Sequence, residues 1–321
     1  MDCKGVTTNG AKFDEEVVYK GSRFKFSIEF IEEDKSTFED ILNLLKNPAF
    51  RLGGGSTKGF GKFKIIEIKS KLCNLENYSS SLNYILSHCE EYATKQSISN
   101  ATHTIYTLKI RPDDFFMFGS GFGDSDADMT PVFEKVVDYK NGKLSDKQVL
   151  IPASSIKGAI AHRTAFYYNK SMLEQEKDHT KTGENNEAVK VIFGHKKELD
   201  KNTQKELGQK GKILISDCFK ETKEQTKTFD HVSIDRFTGG AIDGALFQEK
   251  TVARDKDSYI IEILLENSIE KIYIDAFENA LKDIATGMLP LGGATTKGHG
   301  VFCGELKRDS EVIKKGNCDE L

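Results

Sequence analysis

The chain has no run of about 18 consecutive apolar residues, so no membrane-spanning helix is expected. Its first residues, MDCKGVTTNG, lack the basic-then-apolar order of a secretory signal. The six cysteines (Cys3, Cys73, Cys89, Cys218, Cys303, Cys318) form no close pairs, so neither a zinc knuckle nor a dense disulfide framework is expected. A reducing, cytoplasmic setting follows as the expectation. Positive charge is not in excess: the 321 residues carry a net charge of −4. That argues against coating duplex DNA by bulk charge, while leaving room for a local basic groove. None of the seven histidines stands at metal-ligand spacing to another.

What the chain has is a pattern that occurs twice. RLGGGSTKGFGKF runs from Arg51 to Phe63, and PLGGATTKGHGVF from Pro290 to Phe302. Phe38 matches Phe277, Leu52 matches Leu291 and Phe63 matches Phe302, all 239 residues apart. The match begins at Ser36-Thr-Phe-Glu39 and Asp275-Ala-Phe-Glu278, each read as a capping box at a helix start. Phe38, Ile41, Leu42 and Leu45 then make one apolar helical stripe; Phe277, Leu281 and Ile284 make the other. Upstream, the alternation of Phe24, Phe26, Ile28 and Phe30 predicts a strand with one buried face, and Tyr259, Ile261, Ile263 and Leu265 predict its counterpart. Further back, GAKFDEEVV from Gly10 echoes GALFQEKTV from Gly244, pairing Phe13 with Phe247. The unit is therefore strand, helix, Gly-rich loop, strand, and duplication is the expectation.

The later occurrence has more in front of it. Thr102 to Ile110 reads as a strand, Pro152 to Tyr168 as a helix opened by Pro and Ser, and Gly211 to Phe219 as another strand. Together these predict an α+β fold, a ferredoxin-like (RRM-like) βαββαβ module over 101–306. Long insertions interrupt it at 111–151, 170–210 and 220–256, with a hairpin near 228–252. Residues 1–70 are only the second half (β-α-β) of such a module. A helical linker is expected over 71–100 (helix about 76–93), and a peripheral tail over 307–321. A lone half-module cannot cover its sheet, so another polypeptide is expected to complete it.

Four stretches in order resemble the RAMP superfamily of CRISPR effector complexes, and most closely the repeated backbone subunits of type III complexes. IPASSIKGAIAHR (Ile151 to Arg163) is similar to the family's IPGSSLKG helix start. VIFG (Val191 to Gly194), followed by GKILISD from Gly211, is similar to its second strand region. His231 to Val252 resembles its protruding thumb hairpin, and LGGATTKGHGVF (Leu291 to Phe302) its Gly-rich loop. The resemblance implies a subunit that binds guide (CRISPR) RNA, meets target RNA and contacts other effector subunits, one of which completes the N-terminal half-module. No membrane partner is implied.

Residue chemistry can be weighed beside that resemblance. In the loops, Gly53, Gly54, Gly59, Gly292, Gly293 and Gly298 free the backbone either to cradle an anion or simply to turn. Ser56, Thr57, Thr295 and Thr296 add hydroxyls, and Lys58 and Lys297 add charge, although the Walker spacing is absent. Ser154, Ser155 and Lys157 open a helix, where they either cap it or bind phosphate, and Arg163 is expected to face the same groove. Arg236 and Phe237 on the hairpin are candidates for backbone and base contact, with Phe247 either a wedge or core.

Asp124, Asp126 and Asp128 alternate in a Gly-rich loop, a pattern that either holds Mg²⁺ or is a solvated acidic turn. The family resemblance implies target-RNA cleavage by Asp128, with Asp126 next, both as Mg²⁺ ligands. The family pattern is close to Asp-x-Pro, whereas Asp128-Met-Thr-Pro131 is one residue longer. A catalytically inactive structural subunit remains an alternative. So do a guide-processing endonuclease using His103 or His162 and a non-CRISPR phosphate- or RNA-binding regulator.

Overall fold

The computed structural model describes residues 15–31, 35–73, 89–92, 102–199, 206–221, 226–254 and 257–317. The expected linker helix near 76–93 and the echo around Phe13 lie almost wholly outside them. No helix among the described residues is long and apolar enough to cross a membrane.

The order begins with α1 (Lys35–Lys46), β1 (Lys69–Ser70), β2 (Glu90–Glu91) and β3 (His103–Pro112). Short strands follow: β4 (Phe133–Glu134), β5 (Val137–Asp138), β6 (Lys143–Leu144) and β7 (Gln148–Ile151). Then come α2 (Ala153–Glu174), α3 (Glu187–Phe193), β8 (Gly194–Leu199), β9 (Glu206–Lys210), β10 (Ile213–Ile215) and β11 (Cys218–Lys220). The chain closes with β12 (Thr226–His231), β13 (Phe247–Val252), β14 (Tyr259–Glu266), α4 (Lys271–Ala285), β15 (Phe302–Arg308) and β16 (Glu311–Lys315).

The main sheet has the order β10-β14-β3-β15-β16, antiparallel throughout. Its first four strands, with α2 after β3 and α4 after β14, make the ferredoxin-like βαββαβ module. The tail is not peripheral: β16 extends the sheet, because Glu311–Lys315 folds back along β15. On β3, Tyr106, Leu108 and Ile110 alternate inward as period-2 strands require. They meet the apolar stripes of α2 (Ile156, Ile160) and α4 (Phe277, Leu281, Ile284), all fully buried. Tyr106 stands edge-on to Phe277 at 5.4 Å and donates to Glu278 Oε1 at 2.8 Å. The helix stripes therefore read correctly, but neither capping box stands at its helix start: Ser36 already lies inside α1. Asp275 to Glu278 lies a turn inside α4, which the apolar Ile272 and the residues beside it carry back to Lys271.

Arg23 to Phe30, expected as a strand, forms no ladder, and Phe24, Phe26 and Ile28 are exposed. The reason lies in the sheet. β14 and β15 do not touch as strands; each pairs with β3 between them. Among the described residues, the N-terminal segment has no such central strand along its length. Its strand pair among the described residues is the short β1–β2 ladder at its far end, and Tyr92 stands edge-on to Phe38 at 6.2 Å with its hydroxyl 3.4 Å from Glu39. Cys73 and Cys218 are free thiols, whereas Cys303 on β15 is disulfide-bonded.

Candidate nucleic-acid interface

The two Gly-rich loops share one backbone course. Gly53, Gly55, Gly59 and Gly61 have positive φ, and so do Gly292, Ala294, Gly298 and Gly300 at the matching positions. Leu52 N–H donates to Gly61 and Leu291 N–H to Gly300, closing each loop at 3.0 and 2.8 Å. A 3-10 turn fills each centre, Ser56–Lys58 and Thr295–Lys297. In the second loop the N–H groups of Gly293, Lys297, Gly298, His299 and Gly300 all donate to backbone carbonyls. The glycines thus serve the turn first, and most of the expected anion cradle is already used.

The first loop lies against the beginning of α2. A Cβ on Gly59 would come within 2.5 Å of Asp217 Oδ1 and 2.7 Å of the Ala153 methyl, so only glycine allows this approach. Lys62 pairs with Glu262 at 3.0 Å and fastens the loop to β14. The cap of α2 is not Ser154. Pro152 occupies the N-cap, and Asp217 Oδ1 accepts from Ala153 N–H at 2.7 Å. Burial pushes the Asp217 carboxyl above its usual range, against that hydrogen bond and Lys20. The protein's own carboxylate thus takes the helix-terminal position expected for phosphate. Ser154 and Ser155 remain exposed, and burial alone pulls the half-buried Lys157 ammonium below its usual range. Arg163 is turned away: its Nε binds Asp283 at 2.5 Å and its guanidinium lies over Phe166. It supports the packing of α2 on α4.

Between the first loop, residues 15–28 and the start of α2 opens a groove of about 2050 Å³. Gly53, Gly54, Lys58, Gly59 and Ser154 line it together. Nine Lys and Arg line it against six Asp and Glu, in a chain whose net charge is negative. Lys58 itself is paired with Glu15 at 2.6 Å.

The hairpin β12–β13 forms an arm whose tip carries Arg236 and the almost completely exposed Phe237. At its root, three successive residues of β13 tie three structures together. Gln248 N–H donates to Asp128 Oδ2 at 2.8 Å, and Lys250 Nζ binds Asp124 at 2.6 Å and Asp126 at 3.3 Å. Between them, Glu249 faces the other way, toward Lys297 of the second Gly-rich loop and His231 of β12, both at 3.2 Å. Phe247 packs here too, stacked on His231 at 4.8 Å, so it belongs to the root and is no free wedge.

Asp128 and Asp126 therefore lie together beside the arm, with Asp128 exposed. Hydrogen bonds from Lys250 and the backbone hold the Asp124 carboxyl below its usual range. Lys250 already supplies positive charge to two of the three aspartates. Among the described residues, no group of three or more Asp, Glu, His or Cys is arranged for a metal.

His103 bonds Thr102 at the head of β3, and His162 is exposed on α2. The histidines that the fold brings to one place are His231 and His299, on the wall of a cleft also lined by Lys227 and Phe229. Sequence reading missed this set, although Lys227, Phe229 and His231 alternate along one strand face, which was the available signal.

The pattern defining the RAMP superfamily matches residues 2–64 and 117–303, most of the chain. The two blocks end at equivalent points just past each Gly-rich loop, at Lys64 and Cys303. No curated protein matches the chain.

Proposed function

The chain belongs to the RAMP superfamily, and on that footing we propose that it is a guide-RNA-binding backbone subunit of a type III CRISPR effector complex. The family carries a CRISPR-associated, RNA-binding role; the backbone position is our reading. One observation supports it above the others. The first Gly-rich loop docks on the start of α2, so loop, Ser154 and a concentration of lysines face one groove. A single RNA strand offers regularly spaced phosphates and unstacked bases. Lysines such as Lys25 and Lys64 suit the first, and exposed rings such as Phe24 and Phe26 suit the second. At Gly53 and Gly54 nothing stands within 4 Å of a would-be side chain, so the strand can approach the backbone closely.

The proposal includes the domain plan: a full module over 101–306, preceded at 1–70 by the second half of another and joined through 71–100. The matching loop geometry and the two matched blocks support it. Arg236 and Phe237, at the exposed arm tip, would meet the guide–target duplex, and other effector subunits would flank the chain.

The test is to purify the native assembly and sequence its RNA. Short RNAs with a constant 5′ segment and a variable remainder are expected. Lys25→Glu with Lys64→Glu should weaken single-stranded RNA binding at least about tenfold and flatten its salt dependence. An RNA-free assembly with its partners intact would overturn the reading. A second reading adds target cleavage, favoured by the exposure of Asp128 where the acidic loop meets the arm. No step of it is assigned to a metal. Asp128→Ala should abolish cutting, assayed with and without Mg²⁺, and leave RNA affinity intact; unchanged cutting would remove Asp128 from the reaction, and a wild-type assembly that cuts no target would leave a purely structural subunit.

A further inference from the structure

The cleft at the root of the arm, about 520 Å³, is separate from the groove beside the first loop. One wall is β12, where Lys227, Phe229 and His231 point the same way. The other is the second Gly-rich loop, with Lys297 and His299, and Phe115 closes the end. Phe115 and Phe229 meet edge-to-face at 5.1 Å, with the Lys227 ammonium 5.3 and 4.8 Å from their ring centres. Asp114 is the single acid among the lining residues, against two lysines and two histidines.

Behind the wall lies Glu249, 1% exposed. Its Oε2 is shared by Lys297 and His231, while its Oε1 has no hydrogen-bond partner. His231 Nε2 stands at ion-pair distance but outside hydrogen-bond geometry. A buried carboxylate held so sparsely is costly, and that cost is hard to explain by stability alone. What it achieves is orientation. Lys297 is anchored to Glu249 and lies over the Phe247 ring at 4.6 Å, yet 39% of its side chain is exposed. An ammonium has three donors, so the anchored lysine still has donors to offer the cleft.

We infer that this cleft binds one nucleotide of single-stranded RNA, its phosphate between Lys227 and Lys297 and its ring or sugar against Phe115 and Phe229. Glu249 is the positioning residue that fixes Lys297 for that phosphate. The cleft volume suits a nucleotide-sized ligand. The inference rests on the RNA-binding reading above but concerns a different place, so the two can fail separately.

The experiment is fluorescence anisotropy of the full chain with a labelled single-stranded oligouridylate over a range of salt. Lys227→Ala, Lys297→Ala and Glu249→Gln should each weaken binding about tenfold, and each lysine variant should lower the salt slope by about one contact. Glu249→Gln combined with Lys297→Ala should bind no worse than Lys297→Ala alone, because Glu249 acts through that lysine. Glu249→Asp should recover part of the loss. Wild-type affinity in Lys227→Ala and Lys297→Ala, with binding lost in Lys25→Glu/Lys64→Glu, would overturn the cleft and leave the groove standing. Additive losses in the double variant would overturn the positioning role of Glu249. If Glu249→Gln fails to fold, the two lysine variants decide the site. A wild-type chain that binds no RNA would overturn both proposals.

Discussion

The two Gly-rich loops are nearly the same object in different surroundings. Their positive-φ positions, closing hydrogen bonds and central turns coincide. Yet Leu291 is 1% exposed and its match Leu52 is 44% exposed. The second loop is pressed onto the segment that follows β3, where Gly293 and Gly300 donate to Met117 and Phe115. Among the described residues the first has no long strand beneath it, and its Gly59 approaches Asp217 and Ala153 instead. Local sequence thus sets the course of a loop, while a central strand decides whether that course is buried. Tyr92 sharpens the point. It makes to Phe38 and Glu39 the pair of contacts that Tyr106 makes to Phe277 and Glu278, but from a ladder only two residues long.

Matched substitutions can break this comparison. The largest difference is expected for the helix phenylalanines. Phe277→Ala should cost about 4 kcal/mol in denaturant unfolding of the full chain, and Phe38→Ala about 1 kcal/mol, because only Phe277 is fully enclosed. Equal losses would show that the N-terminal segment is as well packed as the module. The closing glycines come next. A Cβ on Gly300 would lie 2.0 Å from the Leu291 carbonyl oxygen and one on Gly61 would lie 2.1 Å from that of Leu52, at φ of +75° and +76°. The local clash is the same, so Gly300→Ala should cost about 3 kcal/mol in the rigid setting and Gly61→Ala about half as much where the loop can give.

Arg163 tests a different contrast, between a residue expected on RNA and one placed in packing. Arg163→Ala should lower stability by about 2 kcal/mol, since it leaves the mostly buried Asp283 without its cation and with the Tyr167 hydroxyl as donor, and should leave RNA affinity unchanged. Weaker RNA binding at unchanged stability would restore the sequence expectation. The smallest effect belongs to Asp217. Asp217→Ala should cost about 1 kcal/mol through the lost cap of α2. Burial raises its folded pKa above the unfolded one, so the native state takes up this proton more readily. Stability from this group therefore rises as pH falls through the raised value and is lost as pH rises. Asp217→Asn, compared by thermal melts across the acidic range, should remove that slope while keeping an acceptor for Ala153.

Much of the module was legible because its signals are local. The alternation of Tyr259, Ile261 and Ile263 and the stripe of Phe277, Leu281 and Ile284 needed only their own segments. The strand expected at Arg23 to Phe30 carried an equally clear alternation and failed, because a strand is made by its neighbour. The engagement of the candidate site was hidden for a related reason. Lys58 with Glu15, Arg163 with Asp283 and Lys297 with Glu249 are pairs distant in sequence, and no spacing announces them. Each converts a lysine or arginine read as a ligand for RNA into one that has a protein partner. The cap of α2 was misread in the same way, since Asp217 reaches it from another element.

The alternation of Gln248, Glu249 and Lys250 sets where the arm can change length. Adjacent residues there face opposite sides, so one residue inserted before Gln248 within the paired strand would turn Glu249 toward the aspartates and Lys250 toward Lys297. Carboxylate would then meet carboxylate, and ammonium would meet ammonium. Residues 232–246 lie beyond the β12–β13 ladder and are joined across by the single Ile234–Ala241 bridge, so the tip carries no such charge alternation. The arm can therefore grow, shrink or exchange its tip, as a replaceable tool on a fixed handle, provided that the count of residues at its root is kept.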